Sequence, residues 1–166
     1  KDEVYQAIET IGKTFTEEFG MVYAYETDGF GMYNLMDDAN VPSLLSMDYL
    51  GYPSDREIAG NTRRLLLSEA NPFYFEGEKA AGIGSPNTPS NYVWHIAMAI
   101  QGLTETEQEK KMEILKTMAA TTGGKGVMHE GFCCEDDTRF TREWFSWANA
   151  MYAELFLDCM GYRLEK

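Results

Sequence analysis

The sequence predicts an all-α protein, and three observations carry this prediction. Apolar residues recur three and four positions apart in several segments, which is the spacing of one helical face. Capping signals precede two of these segments, and glycines follow several of them. Strand-like alternation is scarce, and most of the connections are short. We therefore expect one domain of five substantial helices within the 166 residues.

The first two helices are expected in the N-terminal part of the chain. An acidic first turn and apolar residues at helical spacing predict a helix over residues 2–15. Residues 21–26 alternate enough for a short strand, or for an extended approach to the next turn. Ser54 and Glu57 form a capping box, so a second helix should cover about residues 55–69.

Three more helices are expected in the C-terminal part. Residues 95–101 are apolar on nearly every side, so this helix should be buried. Thr104 and Glu107 form a second capping box, which predicts a helix over about residues 104–121. The last helix should cover about residues 142–159 and presents a wide apolar face.

Charge and cysteine content exclude several classes of protein. The net charge of −13 argues against nucleic acid and against anionic membranes, because both carry phosphates. No run of about 18 apolar residues is present, so no membrane-spanning helix is expected. Three cysteines, two of them adjacent at positions 133 and 134, do not make a disulfide framework. Buried thiols in a reducing compartment are expected, which favours the cytoplasm.

The polar and aromatic clusters lie mainly in the three longest predicted loops, at residues 28–42, 76–91 and 123–140. Alternate loops of antiparallel helical hairpins lie at the same end of a bundle, so one site could gather there. The first loop contains Asp37, Asp38 and Asn40 within four residues. Capping of a short helix after Pro42 is an alternative role for one of them.

The most suggestive stretch covers residues 127–132. His129 and Glu130 lie side by side between apolar residues, with glycines before and after them. Flexible backbone around a protonatable pair lets a carboxylate face a ligand. An ordinary turn, with Glu130 exposed or capping, is the alternative interpretation.

Carboxylates beside aromatic residues are the chemistry that this sequence offers. Glycoside hydrolysis needs two carboxyl groups, and flat aromatic rings pack well against sugars. The candidate carboxylates are Glu130, Asp37 and Asp38. The sequence contains no phosphate-binding loop, dinucleotide motif or zinc-protease motif. It has two histidines without metal-ligand spacing, so neither a metal nor a cofactor is predicted.

Three long segments resemble one enzyme family. They are NLMDDANVPSLLSMDYLGY at residues 34–52, SPNTPSNYVWHIAMAIQGLT at 85–104, and GVMHEGF at 126–132 with FTREWFSWANAMYAEL at 140–155. Together they are similar to glycoside hydrolase family 125, the metal-independent exo-α-1,6-mannosidases. The segments occur in the family's order and span most of residues 21–157.

The resemblance implies a fold, a mechanism and a set of site residues. It implies an (α/α)6 barrel, inversion at the anomeric carbon, and a pocket for one terminal mannose. It implies that Glu130 is the general base that activates water. It implies that seven residues line the pocket near the sugar: Asp37, Asp38, Asn40, Ser85, Asn87, Thr88 and His129.

The resemblance also implies that residues 1–166 are the C-terminal portion of a longer catalytic domain. Twelve barrel helices need about twice this length at the usual helix size. The family's general acid, an Asp, would then lie upstream of these residues. The expected partners are an α-mannoside glycan and the missing N-terminal half of the enzyme. The first alternative is another all-α barrel glycosidase, in which Asp37 or Asp38 is the acid. The second is an inactive carbohydrate-binding fragment.

Overall fold

A computed structural model of the chain describes residues 2–162. Five helices and nine short strands are present in this part of the chain. The helices are α1 (Asp2–Ile11), α2 (Arg56–Leu66), α3 (His95–Leu103), α4 (Gln108–Ala120) and α5 (Ser146–Cys159). The strands are β1 (Lys13–Thr16), β2 (Gly20–Tyr23), β3 (Glu26–Thr27), β4 (Tyr33–Asn34), β5 (Tyr74–Glu76), β6 (Ala81–Ile83), β7 (Tyr92–Trp94), β8 (Gly131–Cys133) and β9 (Asp136–Thr141).

The prediction of an all-α fold, including the (α/α)6 barrel that the resemblance implied, is wrong. The fold is mixed, with about 35% helix and 19% strand. The strands contain only two to six residues each. So short an element gives at most three side chains per face, and its alternation is hard to distinguish from loop sequence. Several strands occupy segments that the sequence assigned to loops.

The strands form three hairpins and one three-stranded sheet, all antiparallel. The hairpins pair β1 with β2, β3 with β4, and β5 with β6. The three-stranded sheet has the order β7-β8-β9. In its register Trp94 lies opposite Gly131, and Gly131 lies opposite Thr141. The stretch that contains Glu130 therefore leads directly into the central strand of this sheet.

Helix α3 is the centre of the helical part. All of residues 95–100 are buried, as the apolar sequence predicted, and α3 packs against both α4 and α5. Ile96 and Ile100 are almost completely buried. Burial of each such side chain stabilises the fold by roughly 1.5–3 kcal/mol. Because α3 follows β7 directly, this core fixes the position of the three-stranded sheet.

The predicted N-terminal helices have counterparts with different ends. Helix α1 ends at Ile11 instead of residue 15, because Gly12 terminates it and the next residues pair in the β1–β2 hairpin. Helix α2 has Asp55 as its N-cap instead of Ser54. The Asp55 carboxylate accepts hydrogen bonds from the amides of Glu57 and Ile58, at 2.9 and 3.1 Å.

Two of the three C-terminal helices, α4 and α5, begin later than predicted. The second capping box is not formed, because Glu105 instead accepts hydrogen bonds from the amides of Thr106 and Glu107. Helix α4 therefore begins at Gln108. Helix α5 begins at Ser146, four residues after the predicted start, because β9 and a sharp bend occupy the preceding segment.

The three cysteines are buried and unpaired. Across residues 2–162, no helix is both long enough and apolar enough to cross a membrane.

Candidate active site

Glu130 lies at one end of the three-stranded sheet. It immediately precedes β8, and the register brings the end of β7 and the end of β9 to the same place. Trp94 is the last residue of β7, and Arg142 follows the last residue of β9. Residues far apart in sequence therefore lie next to the Glu130 stretch because the strands pair in this register.

The absence of a side chain at Gly131 lets Trp94 approach the backbone next to Glu130. A Cβ atom at this position would lie only 2.9 Å from Trp94 Cδ1 and 3.0 Å from its Nε1. The indole Nε1–H donates a hydrogen bond to Thr88 Oγ1 at 3.0 Å. Trp94 thus connects the Glu130 stretch to the polar loop that contains Ser85, Asn87 and Thr88.

The Glu130 side chain is 15% exposed and pairs with Arg142. Arg142 Nε lies 3.2 Å from Glu130 Oε1, and the Arg142 side chain is 65% exposed. The guanidinium carbon also lies 5.5 Å from the centre of the Phe145 ring. As an ion pair open to water, this contact contributes at most about 1 kcal/mol to stability.

A buried histidine fixes the backbone next to Glu130. The His129 amide donates a hydrogen bond to His95 Nδ1 at 3.1 Å, so this nitrogen is not protonated. His95 Nε2–H therefore donates a hydrogen bond to Thr121 Oγ1 at 3.2 Å. The Thr121 hydroxyl in turn donates a hydrogen bond to the Thr117 carbonyl at 2.8 Å. Desolvation lowers the pKa of His95 from 6.5 to about 4, so the ring is neutral near pH 7.

The second buried histidine is His129 itself. Its side chain is fully buried and stacks on Phe140, with ring centres 3.9 Å apart and planes 9° apart. His129 Nδ1–H donates to the Glu143 carbonyl at 2.5 Å. Its Nε2 is buried and has no hydrogen-bond partner among the residues that the structure describes. The ring therefore connects the Glu130 stretch to the bend after β9.

Asp37 lies at the base of the first polar loop. Its side chain is completely buried, and its two oxygens accept the amide hydrogens of Leu44 and Leu45 at 3.0 and 2.9 Å. Desolvation outweighs these two bonds and raises the pKa of Asp37 from 3.8 to about 6. The carboxylate that the sequence placed near the sugar thus holds the backbone of its own loop.

Asp38 and Asn40 follow Asp37 in the same loop and are half-buried. Asp38 Oδ1 accepts hydrogen bonds from the Asn40 amide at 3.2 Å and from its Nδ2 at 2.9 Å. Between them, the Ala39 amide donates to the Gly84 carbonyl at 3.0 Å. This backbone bond joins the first polar loop to the second one.

The second polar loop is held together by Ser85, which is buried. Ser85 Oγ accepts the Asn87 amide at 3.2 Å, and the Thr88 hydroxyl donates to the Ser85 carbonyl at 3.3 Å. Asn87 is exposed and Thr88 is half-buried. A series of contacts therefore runs from Asp38 through Gly84, Thr88 and Trp94 to the backbone at Glu130.

Sequence reasoning missed Arg142, which it assigned to the start of a helix. The available signal was the segment DDTRFT, whose Thr and Phe residues favour a strand. A strand up to Thr141 would have placed Arg142 at a strand end, and the register seen in the structure brings this end beside Glu130.

A large cavity lies elsewhere in the chain. It has a volume of about 1110 Å³ and is lined mainly by α1, by residues 23–27 and by residues 42–53. None of the predicted site residues lines it. Volume alone therefore does not identify the site in this chain.

A half-buried carboxylate beside aromatic rings and polar loops is the arrangement expected of a glycoside hydrolase. Comparison with known proteins agrees with this class. The family model for metal-independent alpha-mannosidases (GH125) matches residues 1–157. The chain therefore belongs to the GH125 family of glycoside hydrolases.

Individual relatives are longer than this chain. The meiotically up-regulated gene 157 protein of Schizosaccharomyces pombe is 42% identical over 161 residues, which are 96% of this chain and 32% of the relative. A metal-independent alpha mannosidase of Streptococcus pneumoniae, solved in a non-productive complex with alpha-1,6-mannobiose, is 47% identical with a TM-score of 0.94. That match covers 98% of this chain and 38% of the other. The chain thus spans about a third of the length of these relatives.

A more distant structure shares the fold alone. It is a bacterial glucoamylase complexed with acarbose, which is 15% identical with a TM-score of 0.68. The match covers 98% of this chain and 28% of the glucoamylase.

Proposed function

We propose that this chain is part of an inverting exo-α-1,6-mannosidase in which Glu130 is the general base. The observation that carries the proposal is the family match over residues 1–157, combined with the half-buried carboxylate of Glu130 at the end of the three-stranded sheet. The mannobiose complex of the pneumococcal relative supports the substrate class.

In this mechanism, Glu130 accepts a proton from a water molecule. The water oxygen forms a bond to the anomeric carbon while the bond to the leaving-group oxygen breaks. A second carboxyl group gives its proton to that oxygen. In inverting enzymes the two carboxyl groups are about 6.5–9.5 Å apart, which leaves room for the water.

Asp37 does not meet the requirements for the second carboxyl group. Its raised pKa suits an acid, but the side chain is completely buried and both oxygens already accept backbone amides. We therefore propose that the acid comes from a part of a longer polypeptide outside these residues. This accords with the length of the relatives, and it makes residues 1–166 the C-terminal portion of a catalytic domain.

The polar loops are proposed to surround the sugar. Asp38, Asn40, Asn87 and Thr88 are half-buried or exposed, so they are proposed to contact its hydroxyl groups. Three further residues that the resemblance placed near the sugar are buried, and they are proposed to hold the loops in shape: Asp37, Ser85 and His129.

The rest of the longer polypeptide is proposed to cover the outer face of α5. The exposed positions of this helix and its C-cap carry no charged residue: Ser146, Trp147, Ala150, Ala153, Phe156, Leu157 and Met160. Trp147, Phe156, Leu157 and Met160 are 38–47% exposed. A helix that is apolar on all sides is normally buried, and contiguous exposed apolar surface marks an interaction site.

The test is the substitution Glu130→Gln in the complete polypeptide that contains this chain. It keeps the shape of the side chain and removes its ability to accept a proton. We expect kcat on α-1,6-mannobiose to fall by about 10²–10⁴-fold, which is the usual contribution of a general base. Released mannose is the readout, and its anomeric configuration reports inversion.

The matched control is Glu143→Gln, which removes the charge of a nearby carboxylate that is 60% exposed. Its kcat should remain at the wild-type level. Full activity of Glu130→Gln would remove Glu130 from the role of base. Mannose binding without turnover by the complete polypeptide would favour the carbohydrate-binding alternative.

A further inference from the structure

We propose that Arg142 is a positioning residue for Glu130. In this proposal the positive guanidinium of Arg142 holds the Glu130 carboxylate, through their ion pair, in the position from which it accepts the proton from water. The 3.2 Å contact between Nε and Oε1 is the geometric basis. The proposal rests on the role of Glu130 as the base, which was proposed above.

The backbone of Arg142 is bent to make this contact. Its φ angle is +42°, and within residues 2–162 only Asn91 is another non-glycine residue with positive φ. Such conformations are unfavourable for residues with a Cβ atom and persist where the surroundings impose them. Here the bend directly follows β9, and it turns the side chain towards the start of β8.

The bend is fixed to the same stretch that carries Glu130. The Glu143 carbonyl accepts a hydrogen bond from His129 Nδ1 at 2.5 Å. The Phe145 amide donates to the Met128 carbonyl at 3.1 Å. Two residues that follow Arg142 are thus bonded to the two residues before Glu130. The guanidinium and the carboxylate are therefore held on one rigid unit.

The Arg142 side chain is itself oriented by an aromatic ring. Its guanidinium lies over Phe145, and a cation over an aromatic face is attracted to it. A planar guanidinium held in this way keeps its charge at a fixed place beside the carboxylate, which a flexible ammonium side chain does not. The ring and the ion pair therefore both hold the guanidinium beside Glu130.

The test uses three substitutions in the complete polypeptide: Arg142→Ala, Arg142→Lys and Arg142→Gly. We expect kcat on α-1,6-mannobiose to fall by about 10–100-fold in the Ala and Gly variants, because a misplaced catalytic group costs up to about 10²-fold. The KM should change little, because the contact acts on the base and not on the bound sugar. Arg142→Lys should recover only part of the loss, since it restores the charge but not the planar guanidinium that lies over Phe145.

Arg142→Gly separates positioning from stability. Glycine adopts positive φ at no steric cost, so this variant should keep or raise the melting temperature while it loses activity. Added guanidinium ion at non-denaturing concentration should restore part of its kcat. A residue with only a structural role would not give this combination.

The matched control is Lys125→Ala, which removes a neighbouring ion pair with Glu143 at 3.1 Å that does not involve Glu130. Its kcat should equal that of the wild type. Wild-type kcat in all three Arg142 variants, with Glu130→Gln inactive, would overturn the positioning role and leave the base assignment intact. An equal loss in Lys125→Ala would also overturn it, because the effect would then be one of general surface charge. Activity of Glu130→Gln would instead contradict the proposed function.

Discussion

At the scale of single residues, two buried titratable groups hold the backbone of the candidate site in place. His95 accepts a hydrogen bond from the His129 amide and so holds the backbone before Glu130. Asp37 accepts hydrogen bonds from two backbone amides and so holds the first polar loop. Burial favours the neutral form of both groups. It lowers the pKa of His95 to about 4 and raises that of Asp37 to about 6. Their effects on stability oppose each other in the same pH range.

His95 destabilises the fold as the pH falls. Between its ordinary pKa of 6.5 and about 4, the unfolded chain binds a proton on this group that the folded chain does not. The stability that neutral His95 contributes is therefore complete above pH 6.5 and is lost progressively towards pH 4. We expect His95→Gln to remove this loss. On acidification, the urea unfolding midpoint of the variant should therefore fall less than that of the wild type.

Asp37 acts in the opposite direction. Between its ordinary pKa of 3.8 and about 6, the folded chain holds a proton that the unfolded chain has released. Its contribution is present below pH 3.8 and is lost as the pH rises to 6. In Asp37→Asn, stability should therefore fall more steeply from pH 6 to pH 4 than in the wild type. The difference in slope should approach about 1.4 kcal/mol per pH unit, which is one proton. Parallel curves of urea midpoint against pH would contradict this assignment.

At the scale of elements, close backbone approaches join the short strands to the site. Gly84 follows β6, and its carbonyl oxygen accepts the hydrogen bond from the Ala39 amide. A Cβ atom at Gly84 would lie 2.1 Å from the Tyr92 carbonyl oxygen and 2.7 Å from the Phe75 ring. Both neighbours belong to strands, so neither can move away without disturbing the pairing. The connection between the two polar loops therefore requires glycine here.

Gly84→Ala should destabilise the chain by about 1–3 kcal/mol, the usual cost of forcing extra volume into a packed site. The measurement is the urea unfolding midpoint. Gly60→Ala is the matched control, because Gly60 lies inside α2 and a Cβ atom there meets nothing within 4 Å. This change should stabilise the chain by about 0.5–1 kcal/mol through helix propensity. Equal effects of the two substitutions would show that the close contact at Gly84 does not constrain the fold.

At the scale of the whole molecule, the outer face of α5 is an apolar surface that these residues leave uncovered. We expect the 166-residue chain alone to self-associate through this face, which contains Phe156 and Leu157. Phe156→Lys should reduce the association in sedimentation experiments. In the complete polypeptide the same substitution should instead lower the melting temperature, because the face is proposed to be covered there.

Phe30→Lys is the control for this prediction. Phe30 is 95% exposed and lies in the turn between β3 and β4, away from α5 in the sequence. It should change neither the association nor the melting temperature. A chain that stays monomeric at all concentrations would contradict the proposed role of the α5 face.

The sequence by itself predicted the five helices, the burial of α3 and the family, because long apolar repeats and long motifs carry strong local signals. It also pointed to Glu130, whose role stays a prediction. It did not predict the strands, because these elements are short and depend on partners distant in the chain. It did not predict that Asp37 would bond to the amides of Leu44 and Leu45, since a carboxylate's partner is decided by packing.

Only the tertiary structure decided what surrounds Glu130. The pairing of β8 with β7 and β9 brings Trp94 and Arg142 to it from 36 residues before and 12 residues after. Hydrogen bonds across the sheet fix this register, and no local pattern in the sequence specifies them. Residue types along the chain therefore pointed to Glu130, and strand pairing determined its neighbours.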